Sequence, residues 1–336
     1  MIGYSMSTDL RPAPGTAATP EHYDRSIELI RIADQLGYRS VWASEQHGMD
    51  DGYLPSPIVF LAAVARETTN IRLATGIHLL TVTHPRRVAE EAGVIDVLSN
   101  GRFTLGVGAG GDHPHELPLF GRQRRDRARL MEDGLEFLRV ALATGMGPDG
   151  RPINVPPIQQ PIPIVVGALA KAPVDRAARL ANGHLGYCFT DPDDELVTLW
   201  QDVVSPAMQR HGRTGADFSL AVNTLIWPSD DWEDEWVNHV GPAFRYQQQR
   251  YTEWAGGTAA DLPEMLTRPS WDLGEIRKRM MVGPPGEIAE RLSAIRREYP
   301  FDEVVTWPAL PGVPFELAER CLRTFATEVV PAVSET

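Results

Sequence analysis

Residues 71–108 read IRLATGI, HLLTVTH, PRRVAEEAGVIDVL, SNGR and FTLGVG in succession. Ile71 to Ile77 is a short β-type run, and Pro85 suits the first position of a helix that continues to Leu98. Asn100-Gly101 stops that helix, and Phe103 to Gly108 is the next strand. Two short buried strands joined by a helix make a parallel crossover unit. Upstream, Ile2 to Met6 is strand one, a helix runs from Pro20 to Leu36 with Gly37 as its stop, and Ser40 to Ser44 is strand two. A helix over Ile58 to Arg66 leads into the quoted unit. Downstream come a helix over Arg122 to Ala143, strand five at Ile162 to Val166, and a helix containing Ala177 to Ala181. Strands six, seven and eight are placed at Leu185–Phe189, Phe218–Trp227 and Phe301–Trp307, and a helix over Glu316 to Val329 closes the chain. Eight strand–helix repeats predict a single (β/α)₈ TIM barrel of eight parallel strands spanning residues 1–336. An open doubly wound sheet competes, but no G-x-G-x-x-G opens a helix after strand one.

The pattern breaks after strand seven. Residues of about 229–275 hold Trp232, Trp236, Tyr246, Tyr251, Trp254 and Trp271 among acids and glutamines, and they predict a helical insertion. Insertions on that side of a barrel strand serve as substrate lids, or else are excursions whose aromatics pack on the barrel wall.

The chain has 336 residues and a net charge of −13, which argues against nucleic acid as a partner. No stretch of about 18 apolar residues occurs, so no membrane span is expected. The start has no secretory pattern, which makes the cytoplasm the expected location. Cys188 and Cys321 are too few for a disulfide framework or a metal spacing.

Barrel active sites gather where strands end. After strand two, Glu45, Gln46 and His47 put a carboxylate and an imidazole close together, which suits acid–base work or a hydrogen-bonded turn. Strand three ends in Thr75-Gly76-Ile77, where glycine permits close backbone approach. His84 precedes Pro85 and reads as a capping residue. After strand four, Gly108-Ala109-Gly110 leaves backbone N–H groups able to face a planar ring or an anion. His113-Pro114-His115-Glu116 has a metal-like spacing without a matching cluster elsewhere, so no metal is expected. After strand five, Gly167-Ala168-Leu169 runs into a helix at Lys171, one of only two lysines, an arrangement suited to phosphate or to a plain turn.

These stretches, taken in order, resemble the bacterial-luciferase-like family of flavin- or deazaflavin-dependent oxidoreductases. The carriers are Ser44-Glu45-Gln46-His47-Gly48 with its Asp-Asp-Gly-Tyr-Leu-Pro-Ser-Pro tail, Thr83 to Glu91, Leu98 to Phe103, Glu116 to Gly121, Pro163 to Gly167 and Gly283 to Ala289. They span about two thirds of the chain. The resemblance implies that Thr75, Gly76 and Ile77 bind cofactor, with Gly76-Ile77 forming a bulge or non-prolyl cis peptide behind the isoalloxazine. It implies that Gly108, Ala109 and Gly110 lie beside the ring, and that Gly167, Ala168, Leu169 and Lys171 meet the phosphate. Two departures stand out. Gln46 occupies the place of a family histidine and cannot act as a base at neutral pH, leaving His47 for that role. Ala109 stands where luciferase itself has an arginine.

The activity implied is that of a monooxygenase taking reduced FMN from a partner flavin reductase and using O₂ on a small organic substrate. The insertion's aromatics suggest an apolar or aromatic one. Gln46 and His47 are its candidate catalytic residues. A deazaflavin coenzyme-dependent hydride-transfer enzyme and a non-catalytic flavin-binding protein are the alternatives. The resemblance also implies a homo-oligomer.

Overall fold

The computed structural model describes residues 2–111 and 114–334. Eight strands form the barrel: β1 (Gly3–Thr8), β2 (Ser40–Ala43), β3 (Arg72–Thr75), β4 (Phe103–Gly108), β5 (Ile164–Gly167), β6 (Gly183–Tyr187), β7 (Ser219–Asn223) and β8 (Glu303–Thr306). Every neighbouring pair is parallel, in sequence order, and β8 returns to β1 through Gly3 opposite Glu303. Leu73 opposite Phe103 joins β3 to β4, so the sheet closes on itself with no free edge. Outside it run α1 (Pro20–Gln35), α2 (Pro57–Glu67), α3 (Pro85–Leu98), α4 (Arg127–Thr144), α5 (Lys171–Leu180) and α6 (Pro192–Leu199). Trp42, Ala74, Val165, Leu185, Ala221 and Val305 form a separate small core, with Ile77 packed against it. The alternate residues of the same strands join the large core shared with the helices.

Local chemistry explains the helix bounds. Thr19 caps α1 by accepting the His22 N–H, and His84 Nδ1 caps α3 by accepting that of Arg86. After α3, Asn100 and Gly101 take left-handed φ values of 57° and 76°, as the predicted stop requires.

Several elements differ from the sequence expectation. The expected strand Phe218–Trp227 is two pieces. After Asn223 the chain leaves the barrel, and Ile226–Pro228 pairs instead with Met281–Gly283. The Thr306 hydroxyl holds the departure by donating to the Ile226 carbonyl and accepting its N–H. One apolar run hid a change of partner. The helix expected from Arg122 begins at Arg127, after a turn at Arg124–Asp126. Strand six lies two residues earlier than expected, because its glycines weaken the β signal. The helical stretch from Pro192 through Arg210 was not foreseen.

The insertion is also larger than expected, beginning at Ile226 and ending at Gly283. It contains α7 (Gly241–Trp254), and α8 (Pro285–Glu298) then leads back to the barrel. Trp232, Trp236, Phe244, Met265, Ile276 and their neighbours form a second hydrophobic core with Trp227 and Trp307. Buried Glu235 braces it, accepting from the Trp227 indole N–H and the Ser229 hydroxyl and pairing with Arg320. Much of the insertion's aromatic content therefore holds the insertion itself together.

Candidate active site

The turn after β2 lifts Glu45, Gln46 and His47 over the strand ends. Glu45 is buried, and each of its oxygens meets an imidazole. One oxygen lies 2.8 Å from His47 Nε2. The other accepts the Leu79 N–H at 3.2 Å, while His78 Nδ1 stands 2.5 Å from it without hydrogen-bond alignment. Burial pushes the Glu45 carboxyl up, but the two imidazoles of His47 and His78 beside it outweigh burial and hold the group below its usual range. A carboxylate against Nε2 assigns the His47 proton there and leaves Nδ1 as an acceptor. That is the arrangement of a general base with its orienting acid.

His47 is fixed from three further sides. Its N–H donates to Glu116 at 3.1 Å, its carbonyl accepts from the Trp254 indole at 3.2 Å, and its ring meets Phe120 edge-on with centroids 4.7 Å apart. Gln46 has its Oε1 buried with no partner among the described residues, an acceptor suited to a bound N–H or O–H.

The Gly76–Ile77 peptide is cis. Ile77 lies between two glycine strands, since a Cβ on Gly108 would sit 1.8 Å from Ile77 Cδ1 and one on Gly167 2.8 Å from its Cγ2. Thr75 is fully buried and spends its hydroxyl on the Gly106 carbonyl at 2.6 Å, so only its backbone could serve a cofactor. Ala109 and Gly110 are half-buried beyond β4, and the Gly110 carbonyl accepts from Arg127. Ala168 is buried, its carbonyl held at 2.7 Å by His184 Nε2. Burial pushes that imidazole down to about 4, so His184 is neutral and structural. Leu169 and Lys171 are exposed, and among the described residues no side chain caps α5; with Pro173 at its third position, the uncapped N–H groups of its first turn are those of Lys171 and Ala172. The donors after β5 thus fit a phosphate and the open acceptor on Gln46 fits a ring N–H, while Gly108 and Gly167 make room for the Ile77 side chain beneath the mouth.

The insertion docks on the β1 and β2 side of this mouth. Buried Arg11 pairs with Asp9 at 2.8 Å and Asp51 at 2.7 Å, and its guanidinium lies between the Tyr53 and Tyr251 rings, 4.4 and 4.5 Å from their centroids. Gln247 donates to Asp9 at 2.9 Å, and Arg250 reaches Asp50 and Asp51. On the other rim Tyr187 is 46% and Leu169 37% exposed, so the β5–β6 side stays open.

The sequence reading put forward Gln46 and His47 but missed His78 and the joint part of Glu45 and Glu116. Glu116 stands in the sequence within a metal-like spacing and at the start of a stretch that carries the family resemblance, with no site role given to it; His113 of that spacing lies outside the described residues. Among the described residues no three His, Cys, Asp or Glu side chains are grouped to hold a metal.

The fold and this mouth define a barrel oxidoreductase. The family model of luciferase-like monooxygenases matches residues 1–303. The oxygenase component of flavin-dependent trigonelline monooxygenase from Acinetobacter baylyi is 26% identical, over 93% of this chain and 90% of its own. The 4-hydroxyprotoasukamycin monooxygenase of Streptomyces nodosus subsp. asukaensis is 32% identical over 64% of this chain, a match that spans 63% of that relative's length. Among solved structures, the oxygenating constituent of 3,6-diketocamphane monooxygenase from Pseudomonas putida, in complex with FMN, superposes with a TM-score of 0.76 at 19% identity, covering 99% of both chains. An F420-dependent secondary alcohol dehydrogenase does so with a TM-score of 0.74 at 14% identity, again over 99% of both. The chain belongs to the luciferase-like monooxygenase family and is an oxidoreductase.

Proposed function

We propose that this protein is the oxygenating component of a two-component flavin monooxygenase, using reduced FMN from a separate flavin reductase and O₂ on a small organic substrate. The Glu45–His47 pair, set at the barrel mouth between glycine loops, carries the reading. Reduced FMN, when bound, supplies the two electrons that activate O₂. Gly76–Ile77 and the Gly108–Gly110 loop would border its ring, and Gly167, Ala168, Leu169 and Lys171 with the N-terminus of α5 would hold its phosphate. His47 Nδ1 takes or returns the proton that oxygen transfer requires, Glu45 steadies the imidazolium, and Gln46 Oε1 orients a donor on ring or substrate. The insertion closes one side of the mouth and limits water there.

Most of the insertion's aromatics sit in its own core, so they say little about the substrate. The buried, open Oε1 of Gln46 favours an organic molecule with a donor group facing it. A cytoplasmic location and assembly as a homo-oligomer are part of the same proposal.

The test is an anaerobic titration with reduced FMN and, separately, with reduced deazaflavin coenzyme, followed by admission of O₂. Tight FMN binding with rapid O₂ uptake is the expected result. Tight deazaflavin binding with no O₂ uptake would replace the reading by a hydride-transfer enzyme. Flavin binding with no reaction in the presence of a flavin reductase and candidate substrates would leave a carrier.

A further inference from the structure

Glu116 lies beyond β4, 71 residues from Glu45 in the chain, yet the two carboxylates flank the same histidine. Glu45 meets the His47 ring and Glu116 meets its backbone N–H. The second Glu116 oxygen lies against the β4 loop: a Cβ on Gly110 would come within 2.9 Å of Oε2, and Gly110 has a φ of +73° that already favours glycine. On the same loop the Gly110 carbonyl accepts from Arg127. Glu116 is 2% exposed. One carboxyl group therefore touches both the loop that carries the candidate base and the loop assigned to the flavin ring.

We propose that Glu116 is a positioning residue that ties the His47 loop to the Gly108–Gly110 loop and works in its neutral, protonated form. The proposal rests on the flavin reading given above. Either form of the carboxyl accepts the His47 N–H, so the tie itself survives ionisation; the neutral form differs in adding no negative charge beside Glu45 and an anionic cofactor. Ionisation places a second negative charge near Glu45 and against the β4 loop.

The electrostatics agree with this geometry. Burial pushes the Glu116 carboxyl up to about 7, helped by the Glu45 charge and opposed by the His47 N–H bond and the charges of His47 and Arg127. The sign follows from linkage. A carboxyl raised above its unfolded value favours the folded, neutral state at low pH, and that advantage is lost as pH rises through about 7.

The experiment measures, under anaerobic conditions, the dissociation constant of reduced FMN by quenching of tryptophan fluorescence from about pH 6 to about pH 8.5, together with the pH profile of turnover. Wild type is expected to weaken about threefold or more across that range. Glu116→Gln keeps the acceptor and cannot ionise, so it binds FMN as wild type does at low pH and shows no such loss. Glu116→Ala loses the tie and binds weakly throughout; should it fail to fold, the Gln variant decides alone. Identical pH profiles for wild type and Glu116→Gln overturn the proposal. A wild type that binds no flavin overturns the flavin reading instead. Infrared difference spectroscopy on the protein without cofactor then decides Glu116 separately. A protonated-carboxyl band that titrates near pH 7 and is absent from Glu116→Gln upholds it, and no such band above about pH 5 overturns it.

Discussion

The two ends of the barrel each draw glutamate largely out of solvent, and they use it differently. At the end where the strands begin, one Glu303 oxygen takes bonds from the Ser5 hydroxyl at 2.5 Å, the Trp42 indole at 2.9 Å and the Ser40 hydroxyl. Hydroxyl and indole donors do not titrate near neutrality, so this cluster can plug the barrel but cannot move a proton. At the end where the strands finish, Glu45 meets two imidazoles, and Glu116 meets the backbone of one of their residues. Buried carboxylates are costly in both places. Only at the mouth are the partners able to change charge, which separates a structural use of a buried acid from a chemical one.

The largest effect that tests this contrast is on turnover. His47→Ala is expected to lower the rate by about 10²- to 10⁴-fold, with a smaller fall in the thermal midpoint because buried Glu45 loses one of its two imidazole partners. Gln46→Ala should follow in the same direction. Wild-type rates in both variants would dissolve the contrast, because the mouth would then hold no more chemistry than the plug.

Glu303→Ala should do the opposite. It leaves buried donors unpaired, at a cost of about 1–3 kcal/mol in unfolding free energy measured with denaturant. The specific activity of the folded fraction should stay near that of wild type. A selective loss of activity at full stability would show that the plug is coupled to the site.

Lys171→Ala is the smallest of the three. Its side chain is exposed, and solvent screens its charge. FMN affinity should fall about tenfold or less, with the maximal turnover rate preserved. Unchanged affinity would leave the phosphate to the N–H groups of α5 alone.

The region that misled the sequence reading teaches a related lesson. Aromatics in the insertion looked like a substrate wall, yet Trp232 and Trp236 fill its own core and Tyr251 stacks on Arg11. An aromatic residue has the same local signature whether it faces a ligand or another side chain, and only its contacts tell the two apart. Trp254 is an exception in part, because its indole also holds the His47 carbonyl.

The barrel itself was written in short-range pattern. Each strand–helix unit carries its own start and stop, such as Pro85 and Asn100-Gly101, and eight such units in parallel can close in few ways. Gln46 and His47 were also visible, because they stand where a strand ends. The meeting of Glu45, His78 and Glu116 around His47 was not. Those residues come from three different loops, and nothing within a few positions of any one of them reports the others. Closure of the sheet through β3 and β4 sets the loops side by side, and the balance of burial against neighbouring imidazoles then pushes Glu116 up and holds Glu45 down. Local spacing determined the architecture. Long-range packing decided the chemistry, because a charge state depends on whatever surrounds a group in space.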